Sequence, residues 1–261
     1  MTRPIALGRA LLFLAVTSPI WAFSRASALL NPAGRLALVL ALTLLFLYWD
    51  KRPPEVLGLD PRPRRLGELA LGFLGGALLI VIVAAVMYFV LPFPWQRNDS
   101  FKAGAALLAL LFVLAASAFE ELIFRGYALE RMMAAIGLWP AQILTALIFA
   151  LYHMLHGWPW DVAIIGTTLG SLLFGLVFVR WRSVPAAVGV HAAGNWTRDL
   201  LLADPPTVRT FLGPLASRAW TPLDQFNARV VWNGVAFLAC VAMAIAVYRH
   251  QRSQATPEIA A

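Results

Sequence analysis

Charge is scarce in this 261-residue chain. Its 21 Lys and Arg and 13 Asp and Glu make up 13% of the residues, against 61% hydrophobic residues and a mean hydropathy of +0.74. A soluble globular domain carries about a quarter charged residues, so that class is excluded. Cysteine is nearly absent too. Cys240 stands alone inside the last apolar run, which excludes an intrachain disulfide and a cysteine metal cluster. Internal repeats and low-complexity segments are missing. So are an H-E-x-x-H zinc-protease helix, a G-x-S-x-G elbow and a workable Ser, His, Asp set, which disfavours a serine mechanism. The net charge of +8 is scattered between apolar runs and forms no patch, so it reads as loop charge that orients a bilayer protein and not as a nucleic-acid surface.

What is present is apolar sequence in lengths that cross a membrane, for which about 20 residues are needed. Eight spans are predicted: about Ile5 to Phe23, Leu29 to Tyr48, Gly67 to Leu91, Ala103 to Phe124, Leu138 to His156, Val162 to Val179, Val184 to Leu202 and Val230 to Tyr248. Pro, Gly and charge punctuate them, as at Trp49-Asp50-Lys51-Arg52-Pro53-Pro54, Pro92-Phe93-Pro94 and Gly157-Trp158-Pro159. The expected fold is therefore all-α, a polytopic membrane helix bundle around a polar cavity. It forms one transmembrane domain over 1–261 with a motif-bearing core at about 103–202. With both termini in the cytoplasm, 13 of the 21 basic residues, Arg125 among them, fall on that side. Ala26-Ser27-Ala28 resembles a signal-peptide cleavage site, but a second span comes at once and the even count of crossings favours an uncleaved anchor. The stretch from Ala203 to Arg229 is read as a loop. Gly72-x-x-x-Gly76, Gly166-x-x-x-Gly170 and Ser171-x-x-x-Gly175 are read as helix-packing signals without chemistry.

An ionisable group in hydrocarbon costs about 2.5 to 3.5 kcal/mol on insertion scales, so the informative residues are those inside apolar runs. Glu120 and Glu121 close the fourth span in a segment with no turn residue, which predicts helix through both carboxylates and beyond. Glu121 and Arg125, at i and i+4, are placed for an ion pair, leaving Glu120 as the less neutralised carboxylate, poised by desolvation as a general base. Phe149 and His153 share a helix face; His156, nearer the Gly157-Trp158-Pro159 break, reads as interfacial. His191 and Asn195, also at i and i+4, can hold a water or an oxyanion. Each has a plainer reading: a solvated helix end, a hydrogen-bonded core histidine, an interhelical amide. Three helices that each carry such groups are more simply explained by one shared buried site, holding either an activated water or a metal, since two His and a Glu also form a zinc set.

This pattern, E-E-x-x-x-R at Glu120, Glu121 and Arg125, F-x-x-x-H at Phe149 and His153, and H-x-x-x-N at His191 and Asn195, resembles the CAAX prenyl protease and bacteriocin-processing family of intramembrane endopeptidases, which includes the Ras-converting prenyl protease. No motif position is substituted between about Phe119 and Asn195. The resemblance implies an eight-helix bundle in which Glu120 and His153 activate water for attack on a peptide carbonyl. It implies that His191 and Asn195 stabilise the oxyanion while Glu121, Arg125 and Phe149 support the site. The family has been described as metal-dependent and as glutamate-dependent. A buried carboxylate base needs no metal, which favours glutamate and water with no cofactor; a divalent metal such as zinc is the alternative. The implied partners are a membrane-anchored protein or peptide substrate and the lipid bilayer, in a bacterial cell (inner) membrane. Two other classes compete: a proton- or ion-coupled transporter, disfavoured by the lack of repeats, and a catalytically silent scaffold or immunity protein. The spans leave one tension. His153 lies far along its outward-running helix, so either that span starts nearer Ile143 or the helix tilts into the cavity.

Overall fold

The computed structural model describes residues 1–22, 31–203, 206–214 and 220–255. Ala26-Ser27-Ala28 lie outside them. The chain is all-α: α1 (Arg3–Ala22), α2 (Pro32–Trp49), α3 (Arg64–Val90), α4 (Ala103–Glu121), α5 (Ala128–Ile136), α6 (Leu138–Leu155), α7 (Thr168–Trp181), α8 (Val184–Leu201) and α9 (Pro222–Ala255). Among the described residues seven helical spans are long and apolar enough to cross a bilayer, one running from α4 through α5 (Ala103–Ile136) and one joining Val162 to α7 (Val162–Trp181). The eighth expected span, α8, is present as a helix, but His191, Asn195, Arg198 and Asp199 keep it from qualifying on hydropathy. It can afford those residues because it is the inner helix. Val184 and the run from Ala186 to Ala193 are buried, whereas Leu71, Leu74 and Leu78 on α3 and Leu107, Leu108 and Leu111 on α4 face outward. Large apolar side chains on the outside and charges within are the arrangement of a protein solvated by lipid, and this is an integral, multi-pass membrane protein.

Small residues set the central packing. A Cβ on Gly72 or Gly76 of α3 would run into the backbone of Ala186 or Val190 on α8, and one on Gly189 of α8 into the α3 backbone. The two helices therefore approach backbone to backbone between Leu69 and Gly76 of α3. Gly175 likewise makes room for the Gln142 amide, whereas Gly166 and Gly170 meet neighbours only at ordinary contact distance, so that pair is not a close-approach motif.

The ends of the bundle differ in kind. At one end Asp50, at the C-terminus of α2, pairs with Arg9 of α1, lies 3.5 Å from Arg131 and accepts the Tyr127 hydroxyl at 2.7 Å. Glu130 beside it holds Arg131, Arg52 and Arg182, and Asp60 holds Arg65. At the other end lies a short antiparallel pair, β1 (Trp95–Arg97) with β2 (Leu212–Pro214), clasped by the Asn98 amide on the Thr207 and Thr210 carbonyls. The loop expected over Ala203 to Arg229 thus contains a strand. It also ends earlier than expected: α9 begins at Pro222 and not near Val230, because Thr221 and Asp224 form a reciprocal cap in which the Asp224 N–H donates to the Thr221 hydroxyl and the Thr221 N–H to the Asp224 carboxylate. Arg125, expected on the cytoplasmic face, is instead fully buried within the bundle.

Candidate active site

The α4 helix stays regular through Glu120 and ends at Glu121. Residues Leu122–Tyr127 then form a π-helical turn in which Gly126 leaves helical geometry (φ −74°, ψ −123°), and α5 resumes beyond it. The uninterrupted helix expected past the carboxylates is therefore broken, at a point where the added residue per turn re-aims α5 relative to α4. Across that turn the predicted ion pair is made, with Arg125 Nη1 donating to Glu121 Oε1 at 3.2 Å and both side chains fully buried. The same guanidinium donates through Nη2 to Ser171 Oγ at 2.6 Å and lies over the rings of Phe149 (4.6 Å) and Phe174 (5.3 Å). Ser171, read as a packing residue, thus has a polar role.

Glu121 Oε1 also accepts from His191 Nδ1 at 2.7 Å. A carboxylate paired with Arg can only accept, so the His191 proton sits on Nδ1 and Nε2 presents a lone pair when the ring is neutral. The ring is stacked on Phe174, 4.4 Å between centroids and 15° from parallel, which fixes its plane. Its Nε2 faces Glu120 Oε2 at 3.9 Å, and that oxygen has no hydrogen-bond partner among the described residues. The neighbouring carboxylates are thus divided: Glu121 is engaged through Oε1 by Arg125 and His191, and although each carboxylate keeps one oxygen without a hydrogen bond, it is Glu120 that lines the cavity.

Glu120 and His153 line one half-open cavity of about 200 Å³, together with Trp21, Arg35, Phe119, His156 and Trp158. Since α6 begins at Leu138, the distance in depth is not closed by a later helix start; the cavity itself extends from Glu120 to the end of α6. The Phe149 carbonyl accepts from His153 Nδ1 at 2.9 Å, so His153 also presents Nε2, and its ring is flanked by Phe149 and Trp158. Asn195 lies one turn beyond His191 on α8, half-buried, and its side chain makes no hydrogen bond to another described residue.

Glu120, Glu121, Arg125, Phe149, His153 and His191 are therefore brought to one place. Sequence reasoning missed Ser171 and Phe174, which carry no marker in the sequence, and gave too little weight to His156, which lines the cavity beside Trp21. Trp21 and Arg35, on the first two helices, were also passed over. Among the described residues no group of three or more His, Cys, Asp or Glu side chains is placed to hold a metal ion, so the arrangement does not fit a resident zinc without rearrangement.

No curated protein matches the chain. Residues 102–197, which run from the residue before α4 to two residues past Asn195, match the family model described as Type II CAAX prenyl endopeptidase Rce1-like. Over that segment, 96 of the 261 residues, which holds every one of the convergent polar groups above, the chain is similar to the Rce1-like type II CAAX prenyl endopeptidase family.

Proposed function

We propose that the protein is an intramembrane endopeptidase that hydrolyses a peptide bond of a membrane-associated protein or peptide in the Glu120 cavity. A water between Glu120 and His153 gives a proton to the free Glu120 oxygen as its own oxygen adds to the scissile carbonyl carbon. Charge then develops on the carbonyl oxygen. The Asn195 amide donates to it, and so does His191 Nε2 in a ring that has taken a second proton from solvent before the substrate binds and keeps it through the turnover; Glu121, against the Nδ1–H, stabilises that imidazolium. Collapse of the tetrahedral intermediate breaks the C–N bond, and the proton held by Glu120 passes to the leaving amine. Glu121, Arg125 and Phe149 are positioning residues in this scheme. Both termini on the cytoplasmic side of a bacterial cell membrane is the setting we propose.

The observation that carries the reading is the unpartnered Glu120 oxygen opposite His191 in a cavity shared with His153, within the segment that matches a peptidase family. The test is cleavage of membrane-anchored peptides by the purified chain in nanodiscs, together with a comparison of membrane-protein termini between cells carrying the intact chain and Glu120→Ala. Loss of the cut termini with the variant still folded is expected. Cleavage retained by Glu120→Ala removes Glu120 as the base.

A further inference from the structure

A second, larger cavity of about 470 Å³ lies between α3, α7, α8 and α9, half-open on the outward face where Leu71 and Gly75 are exposed. Its wall is almost wholly apolar, formed by Leu71, Leu79, Val177, Val190, Ala242 and Met243 with other small residues, and its one charged lining residue, Glu68, sits at an end.

The glycines of α3 distinguish this cavity from a packing defect. Gly72 and Gly76 are consumed by the contact with α8, but a Cβ on Gly75 would meet nothing within 4 Å, and Gly75 lines the cavity. Gly75 is itself exposed, so its missing side chain leaves this groove open toward the bilayer at a position that helix packing does not require to be glycine.

Length and charge say what the channel fits. From Glu68 to Leu79 the lining covers 11 residue steps of α3, about 16 Å by helix rise. That is about half of a hydrocarbon core ~30 Å thick, the depth of one leaflet. The Glu68 end lies at the ion-paired face of the bundle, where Glu68 is 2.8 Å from Arg65 and 3.7 Å from Arg64, whose side chain is 60% exposed. Trp181, also in the lining, is next to Arg180, whose guanidinium lies over the indole at 5.5 Å. The two carboxylates there, Asp60 and Glu68, are shared among three arginines, Arg62, Arg64 and Arg65, and Arg180 adds a further positive charge at headgroup level.

We infer that this channel is a binding site for one acyl chain of an anionic phospholipid of that leaflet, with the phosphate held at the Arg64 and Arg180 end. Apolar length of one leaflet, an unfilled glycine position and a cationic rim together match a lipid and not a peptide, whose backbone groups would go unsatisfied along an apolar wall.

The test is native mass spectrometry of the full chain released from nanodiscs of phosphatidylglycerol or of phosphatidylcholine with the same acyl chains. The intact protein is expected to retain one lipid, with phosphatidylglycerol preferred. Gly75→Leu, whose side chain enters the channel, is expected to lose that lipid while keeping its elution volume and unfolding temperature; Ala242→Phe, which fills the channel from α9, gives an independent check on folding. Arg64→Gln and Arg180→Gln are each expected to lower the preference for phosphatidylglycerol about fivefold, near 1 kcal/mol per basic residue at a membrane surface. Equal lipid retention by folded Gly75→Leu and folded Ala242→Phe overturns the site. A preference unchanged in both arginine variants overturns the assignment of the headgroup.

Discussion

Glu121 and His191 are 70 residues apart in the chain and 2.7 Å apart in the fold. That hydrogen bond fixes the His191 tautomer and ties α8 to the end of α4, so the chemistry of His191 depends on a carboxylate that itself never faces the cavity. Glu121→Gln should lower kcat about 10- to 100-fold, the usual cost of losing the group that orients a functional histidine, with KM nearly unchanged. Glu121→Asp should recover part of the rate. A rise in KM at constant kcat in peptide-cleavage assays would instead assign Glu121 to substrate binding.

Arg125 and Glu121 are both fully buried, so removing one charge strands the other. Arg125→Met is expected to destabilise the protein by about 3 to 5 kcal/mol, and the double variant Glu121→Gln with Arg125→Met should recover much of that loss. Unfolding in mixed micelles measures both. Additive losses in the double variant would show that the two groups are not coupled.

The α3 to α8 contact makes a contrast between adjacent glycines. Gly76→Ala pushes a methyl into the Val190 backbone and is expected to cost about 1 to 3 kcal/mol, the range for overpacking. Gly75→Ala meets open space and should stay within about 0.5 kcal/mol of the parent. Equal unfolding midpoints for the two would contradict the backbone contact.

Asp60 lies in the loop before α3, with Arg62 Nε at 2.5 Å and Arg65 Nη2 at 2.6 Å. Hydrogen bonds from Arg62 and then Arg65 hold its carboxyl well below the usual carboxylate range. A folded-state value below the unfolded one means that this contribution to stability is complete above the unfolded value, near pH 4, and is lost as pH falls toward the folded value. The unfolding midpoint should therefore decline below about pH 4, and Asp60→Asn should flatten that decline. An unchanged acid limb in Asp60→Asn would assign the decline to other carboxylates.

Much of this was legible in the sequence, because hydrocarbon leaves few explanations for a charge. Apolar length gave the helices, and the cost of Glu120, Glu121, His153 and His191 in apolar runs marked them as partners before any contact was known. The i to i+4 rule found the Glu121 and Arg125 pair. The features that stayed hidden depend on tertiary placement. The π-turn after Glu121 has no strong sequence marker beyond Gly126. Ser171 and Phe174 are an ordinary small residue and an ordinary aromatic until Arg125 and His191 arrive beside them. Arg125 was assigned to the cytoplasmic face because a charge count cannot tell a loop arginine from one buried against a carboxylate. The early start of α9 was written in Thr221-Pro222-Leu223-Asp224, and only the apolar count from Val230 onward obscured it.

The Glu120 cavity is framed by the end of α1, the start of α2 and the end of α6, through Trp21, Arg35, His156 and Trp158, all at the strand-bearing end and remote from Asp50 and Glu130. For a peptidase this sets a geographic filter. On the function proposed above, a polypeptide whose susceptible stretch emerges on the strand side would enter between the ends of α1, α2 and α6. The insertion topology of the client, fixed when it entered the bilayer, would then bear on eligibility before any side chain is read.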